Sequence, residues 1–434
     1  MKRGAVHTGR HAAHRGSAKM LQVAKHTLPL RKTSVTAKSS AGLCEGTRTK
    51  LKRTLTFHIA LHNAMRATMT NVSLTQANQG GAYAIDIDFG GQTFTTIFDT
   101  GSSDLWLANQ DVQCVEYLDQ ILQPAACTFG PLAPGTFEDG TIDNENFYIT
   151  YGDGEELSGV WGYEDVSIGG LTVPYQQVAL VDSALWNGDN VTSGLMGFAY
   201  PALNSAYPGN ESAIDDPNST IPYNPWIFNA ITQGLIEPIF SLALQRGSND
   251  SGGQLALGGL PPSCHNLTYT STDLHISDLA NRAGASTNFS FYSIIPDGFK
   301  AFGDRGLMNR RTNYSVIVDS GTTLVYLPPM IASNVNALYD PPWKWIPESG
   351  SYENLCDAVP PSFAITIGGT DLWISSEELL LTDEAGEDPE TGGCLSSIQP
   401  SFDGAYILGE VFLKNVVAAF DIGNSQMHFA QHEY

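Results

Sequence analysis

Two segments of the chain share one plan that could bring two carboxylates together. Residues 94–107 read FTTIFDTGSSDLWL, and residues 314–327 read YSVIVDSGTTLVYL. In each, an apolar run ends in an aspartate, Asp99 or Asp319, which is followed by a hydroxyl residue, a glycine and a second hydroxyl residue. One Asp-Thr-Gly triplet is a common turn sequence. Two matched copies indicate an internal duplication.

A second match lies downstream of each aspartate. The segment LMG ends at Gly197, 98 residues after Asp99, and the segment ILG ends at Gly409, 90 residues after Asp319. The corresponding spacing extends the duplication from one loop to a larger unit of each half of the chain.

Two such loops facing each other would place their carboxylates in contact. The glycine of each loop lets the other backbone approach closely. Because two touching carboxylates cannot both ionise cheaply, the pair is expected to hold one proton between them. This gives a general base that takes a proton from a water and a general acid that polarises an amide carbonyl. The predicted chemistry is peptide hydrolysis under acidic conditions, without a metal, a cofactor or a covalent intermediate.

The elements that must position these loops are short strands. The clearest alternating segments, bounded by turn residues, are 82–89, 94–98, 163–173 and 362–369. They predict half-buried antiparallel strands with tight turns. Helical signals are sparse and occur around Trp226–Gly234 and Pro328–Tyr339. The predicted fold class is mostly β.

Composition excludes several classes of protein. The chain has 434 residues, 42% hydrophobic and 15% charged, which suggests two or three domains with their own cores. No apolar run approaches the roughly 20 residues that span a bilayer. The net charge of −23 argues against nucleic-acid binding, because a phosphate backbone needs a basic partner.

The charge is divided unevenly along the chain. Residues 1–78 carry 14 Lys and Arg and one acid, a net of +13, whereas the other 356 residues carry 8 Lys and Arg and 44 Asp and Glu, a net of −36. A basic segment is expected to dock on the acidic body near neutral pH and to detach as carboxylates protonate. The pair His58 and His62 within it lacks the Glu of the zinc-protease pattern, so no metal site is predicted.

With these motifs in place, the chain from about residue 80 onward closely resembles the pepsin-like aspartic proteases of fungal type. The two catalytic carboxylates of pepsin share one proton in the way described above. The resemblance implies a bilobal fold of two β-barrel-like lobes with a cleft between them. The N-terminal lobe with its flap would be residues 79–240, and the C-terminal lobe residues 241–434. It also implies polypeptide substrates, inhibition by pepstatin, no cofactor and a monomer.

The resemblance assigns residues 147–159 as the flap, a hairpin over the cleft, and gives roles to twelve positions. Asp99 and Asp319 are catalytic; Thr100 and Ser320 tie the two loops together; Ser102 and Thr322 hydrogen-bond the carboxylates; Gly101 and Gly321 belong to the substrate-binding set; Tyr151 is the flap tyrosine and Trp106 its partner; Gly152 and Asp153 contact the substrate backbone.

Six cysteines allow 15 pairings, which the sequence alone does not resolve. The resemblance implies disulfides between Cys114 and Cys127 and between Cys356 and Cys394. Cys44 and Cys264 are left over. Either Cys264 becomes a free thiol when the basic segment is removed, or these two cysteines bridge that segment to the body.

The basic segment is predicted to be a propeptide. Residues 26–33, HTLPLRKT, resemble the basic, strand-forming start of pepsinogen-type prosegments, which cover the cleft as an intramolecular inhibitor. Lys50 or Lys52 is the candidate partner of the dyad, and Lys52-Arg53 is a candidate processing site. The mature chain would then begin between about residues 54 and 80.

Eight Asn-x-Ser/Thr sequons favour passage through the secretory pathway. They begin at Asn71, Asn190, Asn210, Asn218, Asn249, Asn266, Asn288 and Asn313. Secretion is the expected destination, with vacuolar delivery as the alternative. Residues 1–19 do not show the apolar region of a signal peptide.

Three flap acids, Asp153, Glu155 and Glu156, bear on substrate specificity. Fungal relatives with a flap Asp accept Lys beside the scissile bond, so this chain is expected to do the same.

Two other functions are alternatives to an active endopeptidase. One is a catalytically silent relative that acts as a binder or inhibitor, which the intact motifs disfavour. The other is a glycosidase, which would need separated carboxylates instead of a contacting pair.

Overall fold

The computed structural model describes residues 26–32, 82–116, 121–212, 215–216, 219–246, 252–277, 288–347, 349–381, 393–402 and 404–432. These residues fold mostly into β-strands, which confirms the predicted fold class. The predictions made for Cys44, Lys50, Lys52, His58 and His62 fall outside the described residues.

The described strands number 27. The first nine are β1 (His26–Lys32), β2 (Tyr83–Phe89), β3 (Gln92–Asp99), β4 (Leu105–Cys114), β5 (Thr141–Thr150), β6 (Glu156–Ile168), β7 (Leu171–Leu185), β8 (Gly194–Gly197) and β9 (Ala206–Pro208). The others are β10 (Ile239–Leu244), β11 (Gly253–Leu257), β12 (Thr270–Asp273), β13 (Ser293–Ile294), β14 (Gly298–Gly303), β15 (Gly306–Arg311), β16 (Val316–Val318), β17 (Val325–Leu327), β18 (Lys344–Ile346), β19 (Ser351–Leu355), β20 (Ser362–Ile367), β21 (Thr370–Ile374), β22 (Leu380–Leu381), β23 (Gly393–Ser396), β24 (Ile398–Pro400), β25 (Ile407–Leu408), β26 (Val416–Asp421) and β27 (Gln426–Gln431).

Three α-helices occur in the described part of the chain. They are α1 (Trp226–Thr232), α2 (Pro329–Asn336) and α3 (Glu410–Leu413). The first two confirm the helices predicted from the sequence. The third was not predicted, because a single turn of four residues is too short to show a helical period.

One large sheet runs through both halves of the molecule. Its order is β12-β27-β26-β10-β11-β1-β2-β3-β8-β4-β7-β6-β5-β9. Strand β1 lies between the halves: Leu30 of β1 pairs with Gly253 of β11, and Lys32 pairs with Tyr83 of β2. A strand from the basic N-terminal segment therefore joins the sheet of one half to the sheet of the other.

The internal duplication is visible in the strand pairing. Strand β3 runs parallel to β8, and β4 runs antiparallel to the same strand. In the second copy β16 runs parallel to β25, and β17 runs antiparallel to it. The prediction of antiparallel strands is thus correct for the β2–β3 hairpin and incomplete for β3, because alternation of side chains fixes the faces of a strand and not the direction of its neighbours.

A continuous apolar core supports the sheet from both halves. Its largest cluster contains Phe98 and Phe198 from the first half, Tyr292 and Phe420 from the second, and Phe240 at the predicted boundary between them. Their rings meet edge-on or stacked at centroid separations of 4.5–5.7 Å. No helix in the described residues has the length and apolar character needed to cross a membrane.

Candidate active site

Each duplicated loop begins where a buried strand ends. Asp99 is the last residue of β3, and its Oδ1 accepts a hydrogen bond from the Gly101 amide at 2.6 Å, while the Ser102 hydroxyl donates to Oδ2. Asp319 directly follows β16. Its carboxylate is held in the same way, and its two donors are the Gly321 amide at 2.9 Å and the Thr322 hydroxyl at 2.7 Å.

The two loops meet so closely that only glycine fits at their contact. A Cβ added to Gly101 would lie 2.6 Å from both carboxylate oxygens of Asp319. One added to Gly321 would lie 2.7 Å from the carboxyl carbon of Asp99. The structure therefore places the two carboxylates side by side, with each flanked by the glycine of the other loop.

A reciprocal set of hydrogen bonds beneath the carboxylates joins the loops. The Thr100 hydroxyl donates to the Val318 carbonyl at 3.2 Å and accepts from the Ser320 amide at 2.9 Å. In return the Ser320 hydroxyl donates to the Phe98 carbonyl at 2.9 Å and accepts from the Thr100 amide at 3.1 Å. Because all four partners are fully buried, these bonds fix the position of one loop relative to the other.

The environment of the pair favours retention of a proton. Asp99 and Asp319 are only 6% and 8% exposed. Burial raises the pKa of Asp99 well above its usual range, and the charge of Asp319 and a hydrogen bond between the two side chains raise it further. The hydrogen bonds from Ser102 and Gly101 oppose this shift. The arrangement can hold one proton between two oxygen atoms.

The predicted flap is the hairpin of β5 and β6. Thr150 pairs with Glu156, and the turn is closed by a hydrogen bond of 2.8 Å from the Tyr151 amide to the Glu155 carbonyl. The Tyr151 hydroxyl accepts from the Trp106 indole nitrogen at 2.8 Å, which is the contact that the resemblance implied.

The two remaining flap positions lie at the tip of the hairpin. Gly152 and Asp153 are exposed, and a Cβ on Gly152 would meet nothing within 4 Å. The Asp153 carboxylate accepts from the Glu155 amide at 3.1 Å. Its charge also reaches Tyr326 of β17, whose pKa is raised mainly by burial and secondarily by Asp153. The flap tip is therefore within electrostatic reach of the strand that follows the second aspartate loop.

An aromatic cluster below the flap was not predicted. Trp186 packs edge-on against Trp106 at 5.1 Å and against Tyr151 at 6.1 Å, and it stacks on Phe129 at 6.2 Å. Its indole nitrogen is buried without a hydrogen-bond partner. Trp186 follows the end of β7 and precedes Asn187, whose amide donates to the Glu155 carboxylate at 2.8 Å. Glu155 and Asn187 are 32 positions apart, and no local sequence pattern predicts a hydrogen bond between them.

Two acids near the flap have raised pKa values, and only Glu155 was named from the sequence, as one of the three flap acids. Burial raises the pKa of Glu155 to about 7, against the hydrogen bond from Asn187 and with a smaller contribution from Asp153. Burial likewise raises the pKa of Asp104 to about 6, and hydrogen bonds from Tyr223 and Ser205 oppose the shift. Asp104 stands within the first motif, so its position gave a signal, but its complete burial could not be read from the sequence.

The described cysteines are all paired. Disulfides join Cys114 to Cys127 and Cys356 to Cys394, the two pairings that the resemblance implied. Cys264 is also disulfide-bonded in the chain that still carries the basic segment. Among the described residues there is no group of three or more His, Cys, Asp or Glu placed to hold a metal ion.

Comparisons with known proteins agree with this geometry. The model of the family described as Eukaryotic aspartyl protease matches residues 82–432. A protein named a probable aspartic-type endopeptidase from Aspergillus fumigatus is 37% identical over 86% of this chain and 83% of its own length. An acid protease of Saccharomycopsis fibuligera is 28% identical over 86% of each chain, and mucorpepsin of Rhizomucor miehei is 29% identical over 80% of this chain and 77% of its own. The chain is therefore a pepsin-like aspartic endopeptidase of fungal type and belongs to the eukaryotic aspartyl protease family.

Proposed function

We propose that Asp99 and Asp319 form the catalytic dyad of an endopeptidase that hydrolyses peptide bonds at acidic pH. The observation that carries this proposal is the contact between the two carboxylates, each flanked by the other loop's glycine. Both carboxylates also accept an amide and a hydroxyl hydrogen bond, so their orientation is fixed before substrate arrives.

The reaction needs one ionised and one protonated member of the dyad. The ionised carboxylate takes a proton from a water, whose oxygen forms a bond to the carbonyl carbon of the substrate. The protonated carboxyl hydrogen-bonds the carbonyl oxygen as negative charge develops there. The carbon–nitrogen bond then breaks as the nitrogen receives a proton from the dyad, and the products are a carboxylic acid and an amine.

The same geometry sets the direction of the pH dependence. At very low pH both carboxyls are protonated and no general base remains. As pH rises through the raised pKa of Asp99, the shared proton is lost and activity falls. The expected profile is a bell with its maximum on the acid side of neutrality.

A test uses the full-length protein and a denatured protein substrate at about pH 4. Pepstatin is expected to abolish cleavage, and Asp99→Asn and Asp319→Asn are each expected to reduce it by at least about a thousandfold. Asp88→Asn is the matched control, because Asp88 is an exposed carboxylate in the adjacent strand β2. A properly folded wild-type protein without pepstatin-sensitive cleavage would instead identify a silent relative.

We further propose that residues 1–78 are a propeptide, followed by lobes 79–240 and 241–434. Support comes from the charge division and from the position of β1, which pairs with strands of both halves. Acidification is expected to shorten the purified chain at a site between about residues 54 and 80, as read by N-terminal sequencing. Shortening that continues unchanged in Asp99→Asn and Asp319→Asn would exclude self-cleavage.

The flap suggests a substrate class within this activity. Asp153 is exposed at the flap tip and its charge acts on Tyr326 of β17, so it can pair with a basic side chain of the substrate. We expect cleavage next to Lys in addition to bulky apolar residues. A peptide library cleaved by wild type and by Asp153→Thr tests this, with Asp165→Thr as an exposed control on β6. Equal tolerance of Lys in all three proteins would end the proposal.

We propose delivery through the secretory pathway to the outside of the cell or the vacuole. The five sequon asparagines within the described residues are all exposed, as glycosylation requires: Asn190, Asn210, Asn266, Asn288 and Asn313. Protein purified from its natural source is expected to lose mass when treated with a glycosidase specific for N-linked glycans. An unchanged mass would contradict this route.

A further inference from the structure

The pairing of Cys264 has a consequence for the fate of the basic segment. Of the six cysteines, Cys114, Cys127, Cys356 and Cys394 form two disulfides with one another. Cys264 is disulfide-bonded as well. Of the six cysteines, only Cys44 then remains. It belongs to the basic segment and lies outside the described residues.

The surroundings of Cys264 favour a partner within the same chain. Its side chain is fully buried, and it packs against Ala243 of β10 and Val417 of β26, with Leu267 and Tyr269 covering it. A second copy of the protein could not reach this sulfur without opening the cluster. A partner that is already in place as the chain folds meets no such barrier.

The strand register places Cys264 near the basic segment. Ala243, which Cys264 contacts, pairs with Gln254 of β11, and Gln254 pairs with Pro29 of β1. Two strand spacings are about 9.6 Å, and the three residues from Pro29 to Lys32 add roughly 10 Å along the strand. The gap from the end of β1 to Cys264 is thus of the order of 15–20 Å. The 12 residues from Lys32 to Cys44 can span up to about 40 Å when extended.

We infer that Cys44 and Cys264 form a disulfide that keeps the basic segment attached to the enzyme after the chain is cut. This inference rests on the proposed propeptide. A cut between about residues 54 and 80 lies after Cys44, so it would produce a two-chain protein instead of a free peptide. Tethering holds the detached strand at an effective concentration of about a millimolar. The segment, of charge +13, can then return to the acidic body when pH rises again.

The disulfide itself is tested without any proteolytic activity. Full-length protein is denatured, free thiols are alkylated, and a non-reducing tryptic digest is analysed by mass spectrometry. The expected result is a peptide containing Cys44 crosslinked to one containing Cys264. An alkylated Cys264, or a crosslink of Cys264 to another cysteine, overturns the inference whether or not the protein is a protease.

The consequence is tested on acid-treated protein. Wild type is expected to keep its N-terminal fragment on a non-reducing gel and on size exclusion, and to release it only after reduction. Cys44→Ser, which leaves the buried Cys264 in place, is expected to lose the fragment without reduction. The variant Cys44→Ser/Cys264→Ser, which has no unpaired thiol, is the control for folding. If unreduced wild type releases the fragment, the inference that the segment stays attached is wrong. If the crosslink is present but acid does not shorten the chain, only the proposed activation by cleavage is contradicted.

A functional measurement completes the test. After acid cleavage, the protein is returned to about pH 7 and then acidified again. Wild type is expected to recover most of its activity, because the tethered strand reoccupies its place between β11 and β2 while the pH is high. Cys44→Ser is expected to recover several-fold less. Equal recovery in both proteins would show that attachment of the segment has no protective role.

Discussion

Replacement of Thr100 by valine is the sharpest test of how the two loops are held. Valine keeps the shape of threonine but removes a hydroxyl that accepts from the Ser320 amide at 2.9 Å and donates to the Val318 carbonyl at 3.2 Å. Both partners are fully buried, so neither can turn to water. Each unpaired backbone group costs about 1–3 kcal/mol, so the two groups give an expected loss of about 2–6 kcal/mol in the free energy of unfolding.

The assay is urea denaturation with pepstatin present to prevent self-digestion, combined with kcat measured on a peptide substrate. Thr93→Val is the matched control, because Thr93 lies in β3 and its hydroxyl donates an exposed hydrogen bond to Asp88 of the neighbouring strand β2. That change is expected to cost less than about 0.5 kcal/mol. Thr100→Ser, which retains the hydroxyl, is expected to stay closer to wild type. Equal unfolding energies for Thr100→Val and Thr93→Val would refute the reasoning.

The remaining predictions concern the flap and the buried acids. Tyr151→Phe leaves the Trp106 nitrogen unpaired and is expected to lower kcat/KM about tenfold with little change in melting temperature; an unchanged kcat/KM would deny the contact a role. Because the pKa of buried Asp104 is raised to about 6, its ionisation destabilises the folded protein as pH rises from about 4 to 6. The melting temperature of Asp104→Asn is therefore expected to rise relative to that of wild type over this range, and not at lower pH. Glu155→Gln is expected to show the same effect up to about pH 7, and its amide oxygen can still accept the hydrogen bond from Asn187. A melting temperature that depends on pH in the same way in mutant and wild type would contradict either assignment.

Much of the central site could be predicted because its signal is local and repeated. The residues that orient each carboxylate stand two and three positions after it, as Gly101 and Ser102 do after Asp99. The downstream Gly197 was found by spacing alone, and it packs against the backbone of the first loop in β8, where a Cβ would lie 2.6 Å from the Ser102 carbonyl. The role of each side chain came from the family resemblance.

Other features depend on contacts that no local pattern contains. The parallel pairing of β3 with β8 joins segments about 100 residues apart, and alternation of side chains is the same in parallel and antiparallel strands. Trp186 reads as an ordinary aromatic until the fold brings it against Trp106. The hydrogen bond from the Asn187 amide to the Glu155 carboxylate joins the flap to the segment that follows β7. The pairings that the resemblance implied left two alternatives for Cys264, but its burial against β10 could not be predicted from the sequence.

The place of β1 in the large sheet also constrains what the molecule does when that strand leaves. Among the described strands, β11 and β2 are connected through β1 and do not pair with each other. Strand β1 pairs with β11 through residues 26–30 and with β2 through residues 31–32. Its departure would therefore leave unpaired amides and carbonyls on both strands, which another strand could pair with. The hydrogen bonds between the Thr100 and Ser320 loops do not involve β1, so the two aspartates can stay in contact while that strand is exchanged.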